Sequence, residues 1–279
     1  MMSLLKHCRA VSSRISIRCF ASGSDTLIDV KTDDKGIATV TMNRPPVNSL
    51  NLPVLEAMHR TFIALEKDKC RGMILTSSSP TVFSAGLDIM ELYKPSADRA
   101  RQFWRMLQDT WIKLYSSPYP TVAVINGHSP AGGCLLALSC EYRVIVPKVT
   151  IGLNETQLGI VAPQWFQDCM RNVIGDRKAE IALTEGRMFT SDEALSSGLV
   201  DEIVQNKEAG MASAHKFLAV HSKIPPLART SVKVGFRKDT LSRLLNGREV
   251  DTKMFIDYVF QPKVQEGLGK YLESLKKKQ

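Results

Sequence analysis

Two buried strands of this sequence are each followed by a glycine-containing turn and a helical stretch, and this repeat constrains the fold more than any other feature. The strands cover residues 72–76 and 120–126, and the turns contain Gly86 and the pair Gly132-Gly133. Strand, turn and helix in this order indicate βα units, in which helices cover a sheet. Because open α/β sheets bind ligands beyond the carboxyl ends of their strands, the pattern predicts a ligand site at these turns.

The flanking segments extend this α/β interpretation. Alternating β-branched residues over 26–31 and 37–42, separated by a turn at 33–36, predict a hairpin. A mostly helical tail closes the chain, with breaks expected at 224–226 and around Gly247. Apolar spacing predicts helices at residues 52–68, 98–116, 165–173, 179–184 and 192–197, and an extended piece at 198–204.

The chain divides into three parts by composition. Residues 1–24 contain no Asp or Glu, and their basic residues and serines are interleaved with apolar residues. This composition predicts a mitochondrial transit peptide, with a disordered basic tail as the alternative. Residues 25–207 form the α/β core domain. Residues 208–279 form a C-terminal helical region that we expect to serve oligomerisation.

Several classes of function find little support in the composition. The formal net charge is +9. Four basic residues of the first 24 contribute to this charge, so it is weak evidence for nucleic-acid binding. The six cysteines and five histidines show neither CxxC nor HExxH spacing, so we expect no metal site and no disulfide framework. No run of eighteen apolar residues occurs, so we expect no membrane span.

Two segments carry the residues most suited to chemistry. Pro130-Ala-Gly-Gly-Cys-Leu135 opens a helix behind two glycines, so its backbone N–H groups can face a small ligand. Glu155 follows among the apolar residues Ile151, Leu153 and Leu158, which predicts partial desolvation and a raised pKa. A helix start that binds anions, together with an isolated base, suggests enolate chemistry. A tight structural turn and a surface glutamate are the alternatives.

Four motifs in a fixed order carry a resemblance to a known family. They cover residues 43–50 (Asn-Arg-Pro-Pro-Val-Asn-Ser-Leu), 82–89 (Val-Phe-Ser-Ala-Gly-Leu-Asp-Ile), 125–135 and 151–160. Over roughly residues 26–279 the chain resembles the crotonase (enoyl-CoA hydratase/isomerase) superfamily. The resemblance implies the α/β crotonase (ClpP/crotonase-like) fold, built from repeated ββα units with a C-terminal helical region.

The resemblance also implies an active site. It assigns the oxyanion hole, which binds the thioester oxygen, to the backbone N–H groups of Leu87 and Gly132, and it assigns the catalytic base to Glu155. An amide pair suits this task because negative charge grows on that oxygen when the α-proton leaves. Asn154 could orient Glu155 or hold the acyl chain. The substrate-binding positions that the resemblance implies are Ala85, Gly86, Leu87, Asp88, Ile89, Gly132 and Asn154.

Leu135 distinguishes between activities of the family. In the hydratases a second glutamate occupies this position, and hydration needs two carboxylates to activate water and deliver a proton. The resemblance therefore implies an isomerase of fatty-acid β-oxidation that shifts the 3-cis or 3-trans double bond of an enoyl-CoA to the 2-trans position. It implies no metal or redox cofactor, because CoA arrives as part of the substrate. It further implies a homotrimer in the mitochondrial matrix. Hydration or hydrolysis of a CoA thioester, and a non-enzymatic RNA-binding or scaffolding role, are the alternatives.

Three further expectations concern packing near the site. Asp88 should cap the helix that follows it. Trp104 and Trp111, at helical spacing, should belong to the core and not to a ligand site. The bulky segment 161–166 replaces a glycine-rich run of the hydratases. Leu135 should pack in the core, and it can at the same time keep the pocket dry.

Overall fold

The computed structural model describes residues 26–276, so the predicted transit peptide at residues 1–24 lies outside the described residues. The strands are β1 (Ile28–Thr32), β2 (Ile37–Met42), β3 (Gly72–Ser77), β4 (Thr121–Ile125), β5 (Ser129–Pro130), β6 (Tyr142–Ile145), β7 (Thr150–Gly152), β8 (Phe189–Thr190) and β9 (Glu202–Ile203). The α-helices are α1 (Leu52–Lys67), α2 (Ala97–Tyr115), α3 (Gly132–Ser139), α4 (Gln164–Ile174), α5 (Asp176–Glu185), α6 (Ser191–Ser197), α7 (Lys207–His221), α8 (Pro226–Val259) and α9 (Pro262–Lys276). Short 3₁₀ helices cover Ile89–Glu91 and Glu155–Leu158.

The predicted hairpin and buried strands join one sheet. Its six strands follow the order β1-β2-β3-β4-β6-β9. The pair β1–β2 is antiparallel, and the remaining pairs are parallel. Parallel strands need crossover connections, and here helices supply several of them and bury the sheet against the core. The predicted α/β class and the hairpin are therefore confirmed.

A second, three-stranded sheet positions the two chemical segments. Its order is β5-β7-β8, with β5 and β7 parallel. Ser129 pairs with Ile151, and Pro130 pairs with Gly152. Because parallel strands end at the same edge, the chain that leaves β5 toward α3 and the chain that leaves β7 toward Glu155 emerge side by side.

The prediction of a break at Gly247 is wrong, because α8 continues unbroken through that residue. A glycine in a helix interior costs about 1 kcal/mol relative to alanine, which tertiary contacts readily offset. Here Gln108 of α2 donates hydrogen bonds to Asp251 and Thr252 of α8. The predicted break at 224–226 is confirmed, since α7 ends at His221 and α8 begins at Pro226. Of the extended piece at 198–204, only β9 forms a strand.

Buried charges attach the first half of α8 to the core. The ammonium of Lys233 is 2.9 Å from the Glu141 carboxylate and donates to the carbonyl oxygen of Ser117 at 2.8 Å. Arg237 donates to the carbonyl oxygens of Tyr115 and Ser139. The second half of the helix extends across the site described next. Among residues 26–276, no helix has the length and apolar character needed to cross a bilayer.

Candidate active site

The backbone amides of Leu87 and Gly132 lie beside each other. A Cβ atom built on Gly132 would lie 3.3 Å from the Leu87 nitrogen, and one built on Gly86 would lie 3.1 Å from the Gly132 nitrogen. Gly86 adopts a φ of +87°, which a residue with a side chain rarely adopts. Within residues 26–276, neither N–H group donates a hydrogen bond to a protein acceptor. The two N–H groups that the resemblance singles out are therefore neighbouring donors that the described protein leaves unused.

Ala131 holds a strained conformation directly before Gly132. Its φ is 49° and its ψ is −121°, a region that non-glycine residues rarely occupy. Such a conformation costs of the order of 1–3 kcal/mol and persists only where its surroundings enforce it. The Ala131 amide donates to the carbonyl oxygen of Gly152 at 2.8 Å, which ties this residue to the end of β7. The strain cannot be predicted from the sequence, because an alanine in this segment does not reveal its φ.

Glu155 is buried without a counter-charge. It begins the second 3₁₀ helix, only 8% of its surface is exposed, and within the described residues its Oε2 atom has no hydrogen-bond partner and no cation lies in salt-bridge contact. Burial raises the pKa of its carboxyl from 4.5 to about 7. The raised pKa agrees with the expectation drawn from its apolar neighbours. A carboxyl with this pKa can both accept and return a proton near neutral pH.

Asn154 contributes a second unpaired acceptor next to Glu155. Its side chain is half-buried, and its Oδ1 atom has no donor within residues 26–276. Two adjacent buried oxygens without protein donors are unusual, because buried polar atoms are normally hydrogen-bonded. Whether Asn154 orients Glu155 or contacts a ligand stays a prediction.

A cavity of about 500 Å³ joins Glu155 and Leu87 to the C-terminal helices. Its walls are almost entirely apolar. The lining residues are Leu87, Leu92, Trp104, Glu155, Ile160, Val161, Pro163, Gln164, Trp165, Phe166, Asp168, Arg243, Leu244, Gly247, Val250, Asp251, Met254, Phe255, Tyr258, Val259, Val264 and Leu268.

Three packing expectations can now be compared with this cavity. The bulky segment 161–166 does line it, as expected. Trp104 and Trp111 both pack in the core, as expected, and Trp104 also lines the cavity. Helical spacing cannot distinguish these two environments, because both are apolar. Leu135 is fully buried in the core and does not line the cavity, which supports its role in packing.

The loop before α2 is held by its own hydrogen bonds. Asp88 caps the first 3₁₀ helix by accepting the Met90 amide at 3.0 Å, as predicted, and it also pairs with Arg44 at 2.8 Å. Ala85 is exposed, and Ile89 is half-buried. Their predicted contacts with substrate remain predictions.

The C-terminal helical region completes the site. Residues of α8 and α9 supply one wall of the cavity, which no motif in the sequence predicts. The apolar residues of α8 are not confined to one face, so its periodicity does not indicate which side meets the core domain. Among the described residues, no group of three His, Cys, Asp or Glu side chains is arranged to hold a metal ion.

The raised pKa of Glu155 predicts a pH-dependent stability. The folded protein holds this proton more tightly than the unfolded chain, so the stabilisation is complete below pH 4.5 and is lost as the pH rises through about 7. Glu155→Gln cannot ionise. Its free energy of unfolding relative to the wild type should therefore increase by about 2–3 kcal/mol from pH 5 to pH 8 in urea denaturation. The exposed Glu185→Gln is the control, and a difference that stays constant with pH for Glu155→Gln would contradict the assignment.

The chain is similar to known proteins of one family. The family model described as Enoyl-CoA hydratase/isomerase matches residues 32–279. The chain is 44% identical over 246 residues to "Enoyl-CoA delta isomerase 1, mitochondrial" of Mus musculus, covering 87% of this chain and 85% of the relative. It is 42% identical over 257 residues to the Homo sapiens protein of the same name, covering 91% of this chain and 85% of the relative.

Solved structures share the fold. The crystal structure of human mitochondrial delta3-delta2-enoyl-CoA isomerase superposes with a TM-score of 0.89 at 42% identity, covering 91% of this chain and 100% of that chain. An enoyl-CoA hydratase from Bacillus halodurans has a TM-score of 0.80 at 23% identity, covering 88% of this chain and 100% of that chain, which supports the fold alone. The crotonase fold that the motifs predicted is therefore confirmed, and the chain belongs to the enoyl-CoA hydratase/isomerase family.

Proposed function

We propose that this chain is an enoyl-CoA isomerase that moves a 3-cis or 3-trans double bond to the 2-trans position in fatty-acid β-oxidation. The observation that carries the proposal is a single buried carboxyl without a counter-charge, in one apolar cavity with an unused backbone donor. The mouse and human relatives are named enoyl-CoA delta isomerases, which agrees with this chemistry.

The reaction needs one base and two donors. Glu155 removes a proton from C2, and the electron pair of that C–H bond delocalises through C1 and onto the thioester oxygen, giving a dienolate. The amides of Leu87 and Gly132 donate hydrogen bonds to this oxygen, and the positive end of the α3 dipole adds to the stabilisation. Protonated Glu155 then delivers the proton to C4, and the double bond forms between C2 and C3. No atom is gained or lost.

The other carboxylates of the cavity favour isomerisation over hydration. Asp168 pairs with Arg171 and Arg243, and Asp251 accepts hydrogen bonds from the Trp104 indole and the Gln108 amide. Both are therefore already engaged by the protein. Hydration requires a second carboxylate to share the activation of water with the base. Glu155 alone suffices for a proton shift.

The remaining assignments complete the proposal. Ala85, Gly86, Asp88, Ile89 and Asn154 join Leu87 and Gly132 in binding the acyl-CoA thioester. The enzyme uses no metal or redox cofactor, and nucleic acid is not a partner. The relatives are named mitochondrial, and residues 1–24 have the composition of a transit peptide, so we assign this chain to the mitochondrial matrix.

The assembly we propose is a homotrimer formed through the C-terminal region, residues 208–279. The first half of α8 exposes large apolar side chains, among them Leu227, Val232 and Phe236, and Phe236 is 88% exposed. Exposed apolar patches of this kind mark interaction surfaces. We assign the core domain to residues 25–207.

Glu155→Gln should abolish most of the isomerase activity. Removing the only base should lower kcat for a 3-enoyl-CoA by at least about a hundredfold, measured by the absorbance of the conjugated product. In the wild type, kcat/KM should rise with pH through about 7, because the base must be ionised. Glu185→Gln should retain full activity. Near wild-type turnover by folded Glu155→Gln would refute the mechanism, and comparable hydration of a 2-trans-enoyl-CoA by the wild type would favour a hydratase.

Gly132→Ala should impair the oxyanion hole. The added methyl group would lie 3.3 Å from the Leu87 nitrogen and 3.2 Å from Leu50, so the two amides must separate. We expect kcat to fall by about a hundredfold, the typical effect of losing one such donor. Gly235→Ala is the matched control, since a Cβ there meets nothing within 4 Å. If Gly132→Ala is folded and as active as Gly235→Ala, the oxyanion assignment fails.

Phe236→Arg should dissociate the trimer. A charge in the middle of the proposed interface would have to be desolvated, which opposes association. Sedimentation equilibrium should give the mass of three chains for the wild type and one chain for the variant. Ile63→Arg, at an exposed apolar residue of α1 outside the C-terminal region, should leave the mass unchanged. A wild-type mass of a single chain would refute the trimer.

A further inference from the structure

One face of α8 forms a continuous wall of the cavity. The residues that contribute to it recur at helical spacing and include Arg243, Gly247, Val250, Met254 and Tyr258. Residues three or four apart lie on the same side of a helix. The wall therefore follows the helix axis along the second half of α8.

The wall begins near the proposed base. The Tyr258 hydroxyl donates to the carbonyl oxygen of Gly159 at 2.7 Å, and Gly159 ends the 3₁₀ helix that Glu155 begins. Gly247 lies eleven residues before Tyr258, which corresponds to about 16 Å along a helix axis. Along α8, Gly247 therefore lies toward the end of the wall that is farther from the segment carrying Glu155, and this end is called the far end below.

Aromatic rings line the path between these ends. The Trp104 ring stacks on Phe255 with centroids 3.9 Å apart and meets Trp165 edge-on at 6.1 Å. Four residues before Gly247, Arg243 pairs with the buried carboxylate of Asp168. An alkyl chain gains nothing by contact with this ion pair, which involves a residue one helical turn beyond Gly247.

Gly247 has no evident packing role. A Cβ atom built on it would meet no heavy atom within 4 Å, so neighbouring groups do not exclude a side chain. In a helix interior, glycine is about 1 kcal/mol less favourable than alanine. Gly235 of the same helix has equally open surroundings but does not line the cavity. Because Gly247 lines the cavity, the absence of a side chain there enlarges the cavity, whereas at Gly235 it does not.

We infer that Gly247 sets the length of the acyl tail that the enzyme accepts. The missing side chain leaves the far end of the cavity open to the terminal methylene groups of a long, unbranched acyl chain. A short acyl chain ends before it reaches this position. The inference rests on the proposed function, since it takes the acyl tail to extend from Glu155 along α8.

The test compares substrates of two lengths in the full-length chain. Gly247→Leu would place a branched side chain in the far end of the cavity. The value of kcat/KM for a fourteen-carbon 3-enoyl-CoA should fall at least about tenfold, since one methylene group more or less in an apolar pocket changes kcat/KM by about 10–200-fold. The value for the six-carbon substrate should be unchanged. Gly247→Ala should give a smaller loss in the same direction.

The control is Asn246→Leu, which adds the same side chain to the exposed side of the same turn and should affect neither substrate. Thermal unfolding should place Gly247→Ala at or above the wild type, because alanine favours the helix. The inference is overturned if the ratio of the two kcat/KM values is unchanged in both Gly247 variants. It is also overturned if kcat/KM falls equally for both substrates. A wild type that turns over neither substrate refutes the proposed function instead. In that case, calorimetric titration with the saturated six- and fourteen-carbon acyl-CoA esters gives the ratio of their dissociation constants, which Gly247→Leu should change and Asn246→Leu should not.

Discussion

The parallel pairing of β5 with β7 is the interaction on which the rest of the site depends. Two residue pairs, Ser129 with Ile151 and Pro130 with Gly152, bring the start of α3 next to the chain that leads to Glu155. The same pairing holds Ala131 in its strained conformation through the Gly152 carbonyl. Gly132 and Glu155, which are more than twenty residues apart in sequence, thereby follow neighbouring strands that end at the same edge of the sheet.

The site combines two unfavourable features that the core must offset. A carboxyl group is buried without a counter-charge, and a non-glycine residue adopts a strained backbone conformation. Either feature costs of the order of a few kcal/mol, which is a substantial part of the usual net stability of a domain. Ala131 directly precedes α3, which is entirely buried, and Glu155 is the buried residue of a short 3₁₀ helix that otherwise faces outward. The strain and the raised pKa thus occur where the proposed chemistry would use them.

The C-terminal helices contribute to the site as well as to the proposed assembly. The first half of α8 is attached by buried charges such as Lys233, and it exposes apolar side chains on its outer surface. The second half closes the cavity above the α/β core. The first half of α8 therefore carries the proposed subunit interface, and its second half forms a wall of the cavity. Subunit packing and cavity shape thus depend on the same helix.

The α/β class, the hairpin, the positions of the glycine turns and the desolvation of Glu155 could be predicted from the amino-acid sequence. These features depend on neighbouring residues, on periodicity and on motifs of fixed order. The strain at Ala131, the continuity of α8 through Gly247 and the double role of Trp104 became visible only in the folded chain. So did the contribution of α8 and α9 to the cavity. These features depend on contacts between segments far apart in the chain, and an apolar residue at helical spacing looks the same in sequence whether it faces the core or a ligand cavity.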